Sequence, residues 1–272
     1  MMLLTRLRRN LRKAGLSPDR NLGQNFLVNP SIAAGIAAAV PRGESVLEVG
    51  PGFGALTERL VQRCAELTLV EISARMSDFL LDRFRGDAVN VVNSDFLRVD
   101  PASLPGFPFA VLAGNLPYSI SSPILFRLLE DGFRDVRTAV LMLQREVAAR
   151  LAALDGGKDY GKLSLQFWPL FLVETLLDAG PEDFYPVPEV HSRVVVLKRR
   201  EEPLLNTDDF AVYRRLVKVS FSMRRKTILN NLKAALGRDE ALALLKDAGV
   251  APGRRAEQIP PDKFLSMAEK LS

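Results

Sequence analysis

Ser45-Val46-Leu47-Glu48-Val49-Gly50-Pro51-Gly52-Phe53-Gly54-Ala55 is the stretch on which the fold turns. A short apolar run leads into a glycine-rich turn, and a stretch free of glycine and proline follows, which reads as strand, loop and helix. This arrangement lets backbone N–H groups and a helix amino-terminus approach a nucleotide-like ligand. The loop satisfies the Gly-x-Gly-x-x-Gly/Ala pattern of dinucleotide binders and also reads as Gly-x-Gly-x-Gly. Alone it leaves the ligand open.

Working outward, a helix is expected over residues 31–40, ended by Pro41. Downstream, strands at 67–70, 89–92, 109–113 and 138–143 alternate with helices at 55–63, 73–84, 122–129 and 145–154. Such alternation at short spacing predicts an α/β fold, a mainly parallel sheet with helices on both faces. Further β-rich segments follow near 170–177 and 194–198. From about residue 207 the pattern is helical, and Val212, Leu216, Val219 and Met223 share one predicted buried stripe.

The strand ends carry polar residues along one edge, where doubly wound sheets bind ligands. Glu71 lies twenty-one residues after Gly50, placed for a ribose diol under either reading of the loop. Asp95, past the third strand, suits an adenine amine, with Phe96 beside it to pack on the ring. Asn115 follows the fourth strand and points to a second amine. That set favours S-adenosylmethionine over NAD. Two readings fit Asn115-Leu116-Pro117-Tyr118 alone: a loop whose Asn115 caps the next helix, or a site where Asn115 accepts from an exocyclic amine and Tyr118 stacks on its ring.

Composition narrows the chemistry. The 272 residues, 47% hydrophobic and 25% charged, fit one large domain or a domain with a small appendage. No apolar run approaches the ~20 residues needed to span a bilayer. One cysteine, Cys64, excludes an internal disulfide and points to a reducing, cytoplasmic setting; its place in a predicted helix makes it a packing residue. A single histidine, His191, argues against a histidine metal site or a Ser-His triad, so no metal is expected. The net charge of +5 matches that of the first twenty residues, where Arg6, Arg8, Arg9, Arg12, Lys13 and Arg20 face Asp19 alone. Such a basic arm commonly touches nucleic acid or anionic lipid, and it also has the Arg-rich, acid-poor make-up of an organellar transit peptide, a weaker reading because a structural run begins at Gly23. Residues 214–226 carry six basic residues and no acidic one, including Arg214, Lys218, Arg224, Arg225 and Lys226, and form a second candidate phosphate-contacting surface.

Taken in order, these segments resemble a known family. Gly23-Gln24-Asn25-Phe26-Leu27, Glu48-Val49-Gly50-Pro51-Gly52-Phe53-Gly54, Asn115-Leu116-Pro117-Tyr118-Ser119-Ile120, Leu143-Gln144-Arg145-Glu146-Val147, Tyr160-Gly161-Lys162-Leu163-Ser164, Arg224-Arg225-Lys226-Thr227 and Arg255-Ala256-Glu257 match the small-subunit ribosomal RNA adenine dimethyltransferases, the kasugamycin-resistance enzyme family. Macrolide-resistance rRNA methyltransferases are relatives of that family. The resemblance runs through nearly the whole chain. It implies a Rossmann-like methyltransferase domain at 21–202 after the arm at 1–20, and a small helical RNA-contacting domain at 203–272. It implies S-adenosylmethionine as cofactor, held by Gln24, Asn25, Leu27, Gly50, Gly52, Glu71, Asp95, Phe96 and Asn115. The implied substrate is two adjacent adenosines in a hairpin near the 3′ end of small-subunit rRNA, in a pre-small ribosomal subunit, with the enzyme a monomer away from membranes. The family's Phe-x-Pro-Pro-Pro-Lys-Val segment stands here as Phe184-Tyr185-Pro186-Val187-Pro188-Glu189-Val190, with Val187 for a proline and Glu189 for a lysine. Leu22 replaces a usual aromatic.

For the chemistry, Asn115's side-chain oxygen and the carbonyl of Leu116 or Pro117 would accept the two adenine amine hydrogens, and Tyr118 and Phe184 would sandwich the base. The aminium formed is acidic enough to lose its proton to water, so no general base is required and His191 is expected to be structural or on the surface.

Overall fold

A computed structural model describes residues 2–19 and 23–271. Arg20, Asn21 and Leu22, at the junction of arm and domain, lie outside the described residues. The chain divides into two compact units, Met1–Ala148 with Glu174–Arg199, and Ala149–Val173 with Arg200–Ser272.

In chain order the elements up to the last strand are α1 (Met2–Lys13), β1 (Phe26–Leu27), α2 (Pro30–Ala39), β2 (Ser45–Val49), α3 (Thr57–Leu60), β3 (Glu66–Glu71), α4 (Ala74–Arg83), β4 (Val89–Asn93), β5 (Val111–Asn115), α5 (Ser121–Arg127), β6 (Thr138–Gln144), α6 (Arg145–Ala152), α7 (Lys162–Phe167), β7 (Phe171–Ala179), β8 (Phe184–Tyr185) and β9 (Ser192–Arg199). Seven strands form one sheet in the order β4-β3-β2-β5-β6-β9-β7. The first five run parallel, and β9 runs antiparallel to β6 with Gln144 opposite Ser192. Strands covered on both faces need apolar residues at every position rather than at alternate ones. That is why β2 and β6 are buried almost end to end. A two-stranded pairing of β1 with β8 sets Leu27 opposite Phe184.

Local signals explain the boundaries. The Asn29 side chain accepts from the Ser31 N–H at 2.8 Å and Pro30 opens α2, where its missing N–H costs nothing. The helix after the glycine loop is only four residues, Thr57–Leu60, shorter than the 55–63 predicted. The amino-terminal arm is a helix rather than a loose segment: Leu7 and Leu11 are buried in a cluster with Phe53 and Met76. The arginines around them hide this apolar stripe in the sequence.

The second unit packs α8 (Thr207–Ser220), α9 (Ile228–Leu236), α10 (Arg238–Asp247) and α11 (Pro261–Glu269) around Tyr160, Leu165, Tyr213, Ile228 and Phe264. Tyr160 donates to the Ile259 carbonyl at 2.8 Å and Tyr213 to that of Leu165 at 2.9 Å, so residues 149–173 group with the helices rather than with the sheet. The boundary expected at 202/203 misses this inserted segment. The buried side of α8 is also rotated from the predicted stripe. Tyr213, Leu216, Val217 and Ser220 face inward, whereas Met223 lies past the helix end and is exposed. The large Tyr213 ring claims the interior because its hydroxyl finds a carbonyl there. None of the described helices is long and apolar enough to cross a membrane.

One contact in the sheet governs the site. A Cβ on Gly114 would lie 2.7 Å from the carbonyl oxygen of Val49, so β2 and β5 meet there without room for a side chain. Gly114→Ala is expected to lower unfolding stability by about 1–3 kcal/mol through overpacking, read as a fall in the urea midpoint, and an unchanged midpoint would refute this account of the strand spacing.

Candidate active site

A cleft opens at the carboxyl ends of β2, β3, β4 and β5. Every residue assigned above to the cofactor lines it: Gln24, Asn25, Leu27, Gly50, Gly52, Glu71, Asp95, Phe96 and Asn115. Leu116, Pro117 and Tyr118 complete its rim. The parallel registers, with Val49 opposite Val70 and Glu71 opposite Asn93, are what bring these strand ends level.

Gly50, Gly52 and Gly54 have φ of 64°, 57° and 78°, a left-handed loop that side chains resist. Glu71 is 4% exposed, and its carboxylate accepts the N–H of Gly52 at 3.1 Å and of Ser73 at 2.9 Å. Burial pushes its pKa up, against the pull of those donors. Glu48, 1% exposed, accepts from the Thr57 hydroxyl at 2.8 Å; burial raises its pKa to about 8, opposed by that bond and reinforced by Glu71. Asp95 is open to the cleft, one oxygen held by the Leu97 N–H at 2.9 Å. Phe96 is buried, its ring 5.6 Å from that of Phe133 and 5.6 Å from the Arg127 guanidinium. Gln24 accepts from the Asp19 N–H.

The donor set discriminates between the two ligands left open by the loop. Among the described residues three carboxyl groups, Glu48, Glu71 and Asp95, line the cleft against a single cation, Arg6, which is committed to Glu58 at 2.6 Å. Asp95 also pairs with the exposed Arg98 at 3.5 Å, but Glu48 and Glu71 have no cation beside them in the cleft lining, so a pyrophosphate is poorly matched there, whereas a cofactor carrying a sulfonium cation and an adenosine fits.

At the fourth strand end the Asn115 amide donates to the Asn25 carbonyl at 2.9 Å, which fixes which way the amide points. Its oxygen has no hydrogen bond among the described residues. The next residue, Leu116, uses its N–H on the Met142 carbonyl at 3.2 Å. Pro117's carbonyl is taken by the Ile120 N–H at 3.2 Å, and that of Leu116 is unengaged among the described residues. Of the two carbonyls left open by sequence, that of Leu116 is the one without a hydrogen bond among the described residues. Tyr118 is half-buried, with its hydroxyl 2.6 Å from the Ser192 hydroxyl, and burial raises its pKa.

Not every assigned residue arrives. Phe184 is 2% exposed, packed in the sheet core with Leu27 and Ala37, and does not line the cleft. In the second unit Lys218, Arg224, Arg225 and Lys226 are exposed, whereas Arg214 is half-buried with its guanidinium 5.8 Å over the Phe210 ring. Arg224 is engaged by the Lys158 carbonyl at 3.1 Å and by Glu257 at 3.7 Å. His191 is exposed, with its backbone carbonyl accepting the Arg145 N–H, and Cys64 packs beside the core with its thiol pushed up to about 12 by burial. Among the described residues no group of three or more His, Cys, Asp or Glu is placed to hold a metal ion. Sequence reasoning missed Glu48, Arg6 and Asn10, all in the cleft wall. The spacing of Leu4, Leu7 and Leu11 was the available signal for the last two.

Glu48 gives the site a pH signature. An unfolded glutamate, with its ordinary pKa of 4.5, ionises well below the folded value of about 8, so folding takes up a proton between them. Stability is therefore expected to fall as pH rises from about 5 to 8, by up to about 1.4 kcal/mol per pH unit. Glu48→Gln, which keeps the acceptor for Thr57, should flatten that slope in urea titrations; a slope that persists would sink the assignment.

Comparison with known proteins agrees with this geometry. The sequence pattern of the family described as ribosomal RNA adenine dimethylase matches residues 16–272. A Ribosomal RNA small subunit methyltransferase A from Geobacter metallireducens is 41% identical over 271 residues, covering 96% of this chain and 98% of that protein. One from Myxococcus xanthus is 40% identical over 266 residues, covering 96% and 93%. Among solved structures, the 23S rRNA methyltransferase ErmE superposes with a TM-score of 0.72 at 33% identity, covering 91% of this chain and 99% of that one. A dimethyladenosine transferase from Plasmodium falciparum gives 0.76 at 26% identity, covering 90% and 97%. With matches of this length converging on the same cleft-bearing fold, the chain belongs to the ribosomal RNA adenine dimethylase family.

Proposed function

We propose that this protein dimethylates the N6 amines of two adjacent adenosines in a hairpin near the 3′ end of small-subunit rRNA, on a pre-small ribosomal subunit in the cytoplasm. The observation that carries the reading is the pair of unengaged acceptors at the cleft rim, the Asn115 side-chain oxygen and the Leu116 carbonyl. The small-subunit methyltransferases that it resembles over nearly their whole length support the choice of RNA.

When bound, S-adenosylmethionine supplies an electrophilic methyl group that passes from sulfur to the target nitrogen. Glu71 and Asp95 would hold its ribose and adenine, the Gly50 to Gly52 loop would take the backbone-facing side, and Gln24, Asn25, Leu27 and Phe96 would close the walls. An adenine amine is a poor nucleophile because its lone pair is delocalised into the ring. Asn115 and Leu116, by accepting its two hydrogens, turn that lone pair out of the ring plane and toward the methyl group. Tyr118, anchored through Ser192, offers the stacking face, worth ~1–3 kcal/mol. Phe184, buried below, seats Leu27 across β1 and β8, and the stack falls to Tyr118. Asn115 need hold no proton, since the released one goes to water. The target base must be unstacked to reach this rim.

Incubation with labelled cofactor and unmethylated small subunits should yield dimethyladenosine in small-subunit RNA, with the rate reduced ~10²–10³-fold in Asn115→Ala, as expected for loss of a transition-state acceptor. Label in protein or in large-subunit RNA, or an unimpaired variant, would overturn the reading. Phosphate contact by the exposed Arg225 and Lys226 predicts that replacing both by alanine weakens RNA binding and makes the slope of log affinity against log salt shallower by about 1–2; an unchanged slope returns these residues to a solvated surface.

A further inference from the structure

Helix α1 ends before residue 16, where the family pattern begins, and no cofactor contact assigned above uses it. Yet it forms part of the cleft wall through Arg6, Leu7 and Asn10. Leu7 and Leu11 seat it against Phe53, which follows Gly52, and against Met76, in the helix that follows Glu71. Arg6 fastens it to Glu58, which also pairs with Arg83. The helix thus packs on the segments that directly follow Gly52 and Glu71, whose N–H and carboxylate meet at 3.1 Å.

Asn10 is 7% exposed, and its carboxamide makes no hydrogen bond among the described residues. A nearly buried primary amide facing a cleft without a partner is the signature of a ligand contact, since native interiors pair such groups. Arg6 is committed to Glu58, which leaves Asn10 as the neutral donor and acceptor that α1 brings to the cleft that Glu71 also lines. We propose that Asn10 hydrogen-bonds the ribose hydroxyls of the adenosyl cofactor, making α1 a part of the cofactor site. This rests on the cofactor reading of the cleft.

The test is calorimetric titration with S-adenosylhomocysteine, wild type against Asn10→Leu, a change that keeps the volume and the helix. The variant should bind about five- to tenfold more weakly, the loss of one or two neutral hydrogen bonds. Adenosine, which carries the ribose but no methionine arm, should lose affinity by the same factor. The melting temperature without ligand should equal or exceed that of wild type, because leucine removes an unpaired amide from a buried position. Wild-type affinity in the variant, weakening for S-adenosylhomocysteine but not for adenosine, or weaker binding with a lowered melting temperature would each overturn the proposal. If wild type itself fails to bind S-adenosylhomocysteine, it is the cofactor reading that falls.

Discussion

The close approach of β2 and β5 at Gly114 is the constraint from which the site follows. With the Val49 carbonyl pressed against a residue that has no side chain, the glycine loop and Asn115 emerge from adjacent strands at nearly the same height. The Asn25 carbonyl then bridges to Asn115, drawing the segment around β1 across the strand ends. A larger residue at 114 would part the two strands that must act together. The fold spends a residue of low strand propensity at a central position to bring loop and amide together.

Electrostatics takes up where packing stops. Glu48 and Glu71 sit almost without solvent beneath the loop, each bound by local donors. Desolvation keeps their charge below that of free carboxylates, so the floor of the cleft is polar and weakly anionic rather than strongly so. This suits a cofactor whose reactive end is cationic and whose other parts are hydroxylated. The chemistry proposed at Asn115 and Leu116 needs acceptors in fixed places and no exchange of protons with the protein. A chain with one histidine, exposed and remote in role, can carry it.

Much of this was legible in the residues. The alternation of apolar runs with helical stretches gave the parallel sheet, and the polar residues just past each strand marked the ligand edge, because in parallel sheets those ends share one side. The ambiguities lay where two physical signals compete. In 2–13, four arginines and a lysine stand among four leucines, and the charge masks a helix whose Leu7 and Leu11 are buried. In 207–223 several wheel faces are apolar, and only the reach of the Tyr213 hydroxyl to a carbonyl selects the inward one. Residues 149–173 join the helical unit through contacts of Tyr160 and Leu165 with residues far along the chain, which local pattern does not carry. Phe184 matches the family segment in sequence, but its burial depends on pairing with a strand more than 150 positions away.

The reversed direction of β9 has its own result. In the parallel strands, only what comes after a strand reaches the ligand edge. Because β9 runs the other way, with Ser192 level with Gln144, the residues that precede it arrive there instead. Positions 186–190 hang from this turnaround without sheet pairing, and Val187 is 66% exposed. Substitutions in that overhang leave every strand register untouched. The two departures from the family segment, Val187 and Glu189, both fall inside it. The chain varies where its architecture is indifferent, a few residues from the buried Ser192 hydroxyl that anchors Tyr118.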